Sequence, residues 1–251
     1  ELVEIHQLNY YTKKLQMDSF LKLLLFAQLN ETESMRDVHL KLFSDELQQV
    51  TGLESISFSQ LGRRLNQVST EVFQQLFLDL VAQIHEKSQY EQRRKITTPL
   101  KIIDSSTLPL NLNNHKWAEF RQTKSGIKLH LRLIHVEKGR SYPDQAALTN
   151  AVEHDHGQLE LLVDDKECMY VFDRGYLDYK QFDQMTDDGY FFVSRLRKNA
   201  AIRVMEEFKL PEESTVLTDE MILIGTTQNR AENYFRRIKV ADTKGNELQL
   251  I

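Results

Sequence analysis

No proline occurs before Pro99, and every proline of the chain (Pro99, Pro109, Pro143, Pro211) lies in the later part. A proline lacks the N–H that helix interiors and central strands need, so its distribution limits which segments can be long uninterrupted helices. Ahead of Pro99 the apolar residues recur at helical spacing. Phe20, Leu21, Leu24, Leu25 and Leu29 follow Asp18-Ser19, and Met35, Val38, His39, Leu42 and Phe43 continue the pattern. Ser69-Thr70-Glu71 opens another helix, whose Val72, Phe73, Leu76, Phe77, Leu80, Val81 and Ile84 are expected to face inward. Between these, Ser57 to Leu65 reads as a short capped helix with Arg63 and Arg64 on its exposed side, and Gly52 and Gly62 stand at break points.

A polar stretch, Glu86 to Lys95, leads to Thr97-Thr98-Pro99, and the texture then changes. Leu100 to Ser105 reads as a short apolar strand ending in Asp104. Gly126 to Val136 alternates Ile127, Leu129, Leu131 and Leu133 against Lys128, His130, Arg132 and Ile134. Ala146 to Val152 is ambiguous, and His156 to Val163 looks helical. Met169 to Phe172 is a buried strand ending in Asp173, Asp178 to Met185 a helix, and Tyr190 to Leu196 a further strand. After Asn199 the runs Ala201–Phe208, Met221–Gly225 and Tyr234–Val240 predict a β-rich module. The expected domains are 1–96, helical; 97–199, α/β; and 200–251, β-rich. With 251 residues, and roughly 150 per domain as a guide, one large or two small domains are expected.

The single cysteine, Cys168, excludes an internal disulfide, and no run approaches the ~18 apolar residues of a membrane span. The default is a soluble cytoplasmic protein without a membrane partner. The net charge of −5 hides a split. Lys101 to Arg140 holds eight Lys/Arg against three acids, whereas Asn150 to Tyr190 holds three against eleven. An ordinary solvated surface explains this, but a local basic track is also what neutralises nucleic-acid phosphates.

Asp104 and Asp173 have the same setting: each follows an apolar strand. Strand ends deliver a residue with little positional freedom, and ligands of open α/β sheets sit beyond them. If the two strands are neighbours the carboxylates converge, repel, and invite a hard cation such as Mg²⁺. Taken singly, each Asp is more readily a cap of the following turn or helix.

Four segments, in this order and spacing, resemble the catalytic core of DDE transposases of the cut-and-paste insertion sequence 4 family. They are Asp104-Ser105-Ser106-Thr107, Gly126-Ile127-Lys128-Leu129-His130, Asp173-Arg174-Gly175-Tyr176 with Asp178-Tyr179, and Gly189 to Asn199. The helical N-terminal part is similar to that family's own, so the resemblance covers nearly the whole chain. It implies an RNase H-like mixed sheet with helices, preceded by an all-α domain and followed by part of a β-rich insertion. Asp104 and Asp173 would be catalytic residues on neighbouring strands and would hold Mg²⁺, with Mn²⁺ as the alternative. The reaction implied is metal-dependent phosphoryl transfer, cleaving and joining double-stranded DNA at terminal inverted repeats. A second transposase subunit is the expected partner, and the bacterial cytoplasm, at the nucleoid, the expected location.

Several residues carry an open choice between DNA contact and structure: Arg174 and Tyr176 after the second aspartate, Lys128 and His130 on one strand face, and Arg63 and Arg64 as a major-groove reader. Trp117 is expected to pack, and His154 and His156 fit no standard zinc spacing.

The family's third acid is a Glu within Tyr-x₂-Arg-x₃-Glu-x₆-Lys. Tyr234-Phe235-Arg236-Arg237 begins correctly but puts Ala241 at the Glu position, and Tyr90 to Arg93 puts Thr97 there. Glu220 and Glu232 lack the pattern. The chain also starts at Glu1 rather than Met and stops on the apolar alternating run Glu247 to Ile251. The expectation is a chain lacking the catalytic Glu, cut off in a strand before it returns to the core and by itself a poor nuclease. A non-catalytic DNA-binding remnant of a transposase is the alternative. An RNase H-like nuclease acting on another nucleic acid is a third reading, against which Asp173-Arg174-Gly175-Tyr176 argues.

Overall fold

The structure, a computed structural model, describes residues 2–42, 44–92, 98–121, 124–137, 139–152 and 155–251. Phe43, Thr97 and His154, singled out above, lie outside the described residues, as does the end of the polar stretch at 93–97. The chain forms two compact units, Glu1–Ala82 and Gln83–Ile251. Their divide falls within a helix, ahead of the 96/97 boundary expected from composition, and the second unit includes both 97–199 and 200–251.

The first unit is built from α1 (Leu2–Ile5), α2 (Met17–Leu29), α3 (Met35–Lys41), α4 (Asp45–Thr51), α5 (Phe58–Gln67) and the start of α6 (Thr70–Gln92). Local chemistry explains the boundaries. Ser34 accepts from the Asp37 N–H to start α3, and Ser57 and Gln60 form a reciprocal capping box on α5. Helix α4, which apolar spacing alone did not predict, ends at Gly52 in the left-handed region at φ 68°. Phe20, Leu23, Leu47, Ile56, Leu61 and Val72 form the buried centre of this unit. The expected inward stripe of α6 holds only at its start: Val72 is buried, but Leu80 and Ile84 are exposed. A stripe wider than the surface available to cover it stays partly in water.

The second unit contains two sheets. The first holds β1 (Leu100–Leu110), β2 (Glu119–Arg121), β3 (Lys124–Glu137), β4 (Arg140–Asn150), β5 (Met169–Phe172) and β6 (Phe191–Ser194). Its order is β2-β3-β1-β5-β6, with β4 on the other side of β3. β1 runs antiparallel to β3 and parallel to β5, and β5 runs parallel to β6. The sheet is therefore mixed. Helix α7 (Leu159–Leu162) lies between β4 and β5 in the chain, and α8 (Tyr179–Asp187), capped by the Asp178 carboxylate, connects β5 to β6.

Two strands are longer than the sequence predicted. β1 continues past Asp104 to Leu110 because β3 pairs with it along its whole length. β4 extends back through Pro143, where the β3 register shifts and the missing N–H is tolerated.

The facing of β3 is also the reverse of what its apolar alternation implies. His130, Arg132 and Ile134 are buried, whereas Leu129, Leu131 and Leu133 are only half-buried. The polar side can face inward because each polar group there meets a partner, as described below.

The second sheet holds β7 (Ile202–Glu207), β8 (Val216–Thr226), β9 (Asn229–Arg230), β10 (Phe235–Ala241) and β11 (Glu247–Leu250), in the order β11-β10-β8-β7 with β9 off β8. All of its strands come after Asn199 in the chain. Its last strand is not left hanging. Ile251 is buried, and its N–H and C=O both pair with Ser194 at 2.9 and 2.8 Å, so β11 already lies against the first sheet. One core spans both sheets, with Phe172, Phe182, Phe192 and Phe235 packed ring to ring and Ile222, Ile224 and Ile251 around them.

The β8–β9 turn depends on one glycine. Gly225 has φ 101°, and a Cβ there would lie 2.7 Å from the Arg230 Cα and closer still to the Asn229 carbonyl oxygen. Both obstacles are backbone. Gly225→Ala is expected to cost about 2–4 kcal/mol. Thermal denaturation should show the loss; an unchanged melting curve would mean that the turn relaxes freely.

Candidate functional site

The pairing of β1 with β5 sets the geometry. Leu100 stands beside Met169 and Ile103 beside Phe172, so one residue further on Asp104 and Asp173 leave adjacent strands at the same level. Neighbouring strands lie about 5 Å apart. Ile103 and Phe172 are buried on one face, so by alternation the two aspartates share the other, and both are exposed. Asp104 does not end its strand; it marks where β1 loses its parallel neighbour.

Each carboxylate is oriented by its own backbone. Asp104 Oδ1 accepts from the Ser105 N–H at 2.8 Å, and Asp173 Oδ1 accepts from the Gly175 N–H, starting the 3₁₀ turn Arg174–Tyr176. In both, Oδ2 accepts no other hydrogen bond among the described residues. Mg²⁺ is commonly held by one or two carboxylates with waters and substrate phosphates completing its shell, so this pair fits such an ion. Among the described residues no group of three or more His, Cys, Asp or Glu converges on a metal position.

The turn after Asp173 is pinned from beneath. Tyr176 is buried, its hydroxyl lies 3.0 Å from His130 Nδ1, and His130 Nε2 lies 3.0 Å from Thr149 Oγ1 on β4. The Tyr176 ring also meets Phe172 and His130 edge-on. Of the two readings left open for Tyr176 and His130, the geometry favours the structural one: both are buried, and the contact between them ties the Asp173 turn to β3. Lys128 shares the His130 side of β3, opposite the face of Asp104, so the structure does not bring it to the aspartates. Arg174 is exposed directly beside Asp173.

The charge split has an internal explanation that sequence reasoning missed. Buried Arg132 grips Asp144 through Nε at 2.9 Å and Nη2 at 2.6 Å, and its Nη1 reaches Asp164 at 2.6 Å and the Leu162 carbonyl at 2.7 Å. Lys101, also buried, lies 3.4 Å from Asp164 and 3.3 Å from Asp165. Part of the basic segment is thus neutralised by part of the acidic one. Burial works against the Arg132 charge, but its bonds to Asp144 and Asp164 outweigh this and hold its pKa above the ordinary value. Burial, then the bond to Asp165, pushes the Cys168 thiol up to about 12, so it stays protonated. The signal was available: Arg132 alternates with Ile134 and His130 on one strand face.

Arg63 and Arg64 separate. Arg63 is exposed, its Nε donating to the Ser59 carbonyl at 3.3 Å. Arg64 is buried, contrary to expectation. It donates to the Leu8 carbonyl at 2.7 Å and to Thr12 Oγ1 at 3.3 Å, and its guanidinium lies over Phe20. The spacing Leu61, Arg64, Val68 already put it on the buried face of α5. The structure therefore does not present the two arginines together as a groove reader. Trp117, expected to pack, is 67% exposed and stands edge-on to His115.

The acids considered for the third position have other duties. Glu220 is buried and paired with Arg237 across β8 and β10, and Arg236 pairs with Asp219. The run Tyr234 to Arg237 is thus largely strand, not helix. Glu232 is exposed, and its N–H donates to Asp183.

A mixed sheet with two carboxylates side by side beyond neighbouring parallel strands defines a class: α/β proteins whose strand-borne acids can share a hard cation. Comparison with known families is specific. Residues 96–246 match the Transposase DDE domain, more than half of the chain, and the chain belongs to that family. Residues 1–51 match a domain of unknown function, DUF4372.

Among curated proteins, the chain is 22% identical over 202 residues to "Probable transposase for insertion sequence element IS5377" of Geobacillus stearothermophilus, covering 80% of this chain and 52% of the relative. It is 23% identical over 185 residues to "Putative transposase y4zB" of Sinorhizobium fredii, covering 72% and 50%. The chain spans about half the length of these relatives. Among the described residues no helix is long and apolar enough to cross a membrane.

Proposed function

We propose that this chain carries two acids of a transposase active site, Asp104 and Asp173, which together hold Mg²⁺, or Mn²⁺ in its place. The observation that carries the reading is the parallel, in-register pairing of β1 with β5, which sets two exposed carboxylates at one level on one face. The reaction is phosphoryl transfer on double-stranded DNA at the terminal inverted repeats of an insertion sequence, in the cut-and-paste manner of the insertion sequence 4 family. Residues 97–199 supply the RNase H-like part of the sheet, 200–251 part of a β-rich insertion, and 1–96 the DNA-binding helical part. Pairing of two DNA ends calls for a second subunit.

When bound, the ion supplies Lewis-acid stabilisation of the charge that builds on the scissile phosphate. The chain's own residues do the rest. Asp104 and Asp173 present their Oδ2 atoms while their Oδ1 atoms are fixed by the backbone. His130 and Tyr176 position the Asp173 turn. Arg174 lies where an exposed guanidinium meets DNA phosphate beside the cleavage point. No Glu of this chain is proposed as the third acid.

Mn²⁺ binding, followed by loss of the free-ion electron paramagnetic resonance signal, tests the reading. Asp104→Asn and Asp173→Asn should each weaken binding by about tenfold or more, because an amide oxygen replaces a hard anionic ligand. Asp178→Asn, which changes the cap of α8, should leave it unchanged. Equal Mn²⁺ affinity in all four proteins would overturn the assignment.

A further inference from the structure

The helical unit has a cleft of about 340 Å³ with an unusual charge balance. Lys13, Lys14, Arg63 and Arg64 line it, with Tyr11 at its edge and no acidic residue in its wall. Lys13, Lys14 and Arg63 are exposed.

Arg64 is different. It is 6% exposed, and among the described residues its hydrogen-bond acceptors are the neutral Leu8 carbonyl and the Thr12 hydroxyl, while its Nε has no partner. A buried cation is costly unless it meets a counter-charge, and proteins ordinarily supply a carboxylate. Arg132 in the other unit has two. Among the described residues Arg64 has none, and burial pulls its pKa down. The missing counter-charge and the acid-free wall call for the same thing, an anion in the cleft.

We infer that this cleft binds a phosphodiester of the DNA backbone, with Lys13, Lys14 and Arg63 in contact and Arg64 providing a fixed positive charge behind them. The site follows from the residues themselves; only the choice of DNA as the source of the phosphate rests on the transposase reading. Tyr11, 91% exposed and packed edge-on against Tyr10, adds an aromatic surface beside the cations. This role differs from a recognition helix reading bases: contacts to phosphate position a protein on DNA and carry no sequence information.

The test is fluorescence anisotropy of a labelled 20-base-pair duplex with the full chain, over a series of salt concentrations. Lys13→Gln/Lys14→Gln should weaken binding by about tenfold and lower the slope of log affinity against log salt by about 2. Arg63→Gln alone should lower it by about 1. Lys22→Gln/Lys41→Gln removes the same net charge from the same unit, but these lysines pair with Asp18 and Asp37 along their helices. That variant should bind like the parent.

Equal weakening in both double variants would show diffuse attraction and overturn the cleft. So would displacement of the duplex by inorganic phosphate at an ionic strength where chloride leaves it bound, which would assign the cleft to a small anion. Mn²⁺ binding of the Lys13→Gln/Lys14→Gln protein is measured in parallel. If it is retained while DNA binding is unaffected, the cleft fails and the Asp104–Asp173 reading stands; if DNA binding falls in a protein that never bound Mn²⁺, the reverse holds.

Discussion

On the proposal that Asp104 and Asp173 hold the catalytic metal, Asp104→Asn and Asp173→Asn should each abolish the slow divalent-metal-dependent cleavage of duplex DNA expected of a chain with no assigned third acid, leaving the rate measured without metal. Several kcal/mol of charge stabilisation are at stake, and each ~1.4 kcal/mol is a factor of ten in rate. Asn keeps the shape of the side chain, and its carbonyl can still accept from the Ser105 N–H or the Gly175 N–H. The fold should therefore survive, and the melting temperature should stay near that of the parent. Single-turnover cleavage on a labelled duplex reads the effect. A residual rate within about threefold of the parent would be less than 1 kcal/mol and would exclude a role for that carboxylate in the reaction.

Arg132→Met should have the largest effect on stability. It removes the cation between Asp144, whose side chain is 11% exposed, and Asp164, leaving a nearly buried carboxylate without its partner. Breaking a buried pair from one side costs about 3–5 kcal/mol, and for a chain of this size that lowers the melting temperature by about 10 °C. Arg132→Met/Asp144→Leu should recover most of the loss, because the uncompensated charge goes with it.

The pH dependence follows from Asp164. Burial raises its pKa, but the bond to Arg132 and the charges of Arg132 and Lys101 outweigh this and hold it below the ordinary carboxylate value. Its contribution is present above the unfolded value of about 3.9 and is lost as pH falls through the lower folded value. Urea unfolding at a series of pH values should show a decline below about pH 4 that is shallower in Arg132→Met. A single-variant melting curve matching the parent would remove Arg132 from the stability argument.

Short-range patterns were legible in the sequence because their causes are local. The change at Pro99, the capped helix at Ser57, the short strand ending at Phe172 and the helix opened by Asp178 each depend on neighbours a few residues away. Facing was less legible. The apolar alternation of β3 misplaces its inner side because burial was assigned by hydrophobicity, whereas His130 and Arg132 are buried with partners distant in sequence: Tyr176, Thr149, Asp144 and Asp164. The same rule put Arg64 outside and Trp117 inside. A polar group is expensive to bury only when unpaired, and pairing is not visible in a linear pattern.

Residue identities and their order determined which acids were candidates, Asp104 and Asp173, and which family the chain belongs to. Only the tertiary structure put the two on neighbouring strands, since they are far apart along the chain and each follows directly on the paired register of β1 with β5. It also decided that the arginines of α5 part company, one into solvent and one into the core. Sequence sets what each side chain can do; strand register and burial, which sum contributions from the whole chain, set what it can reach.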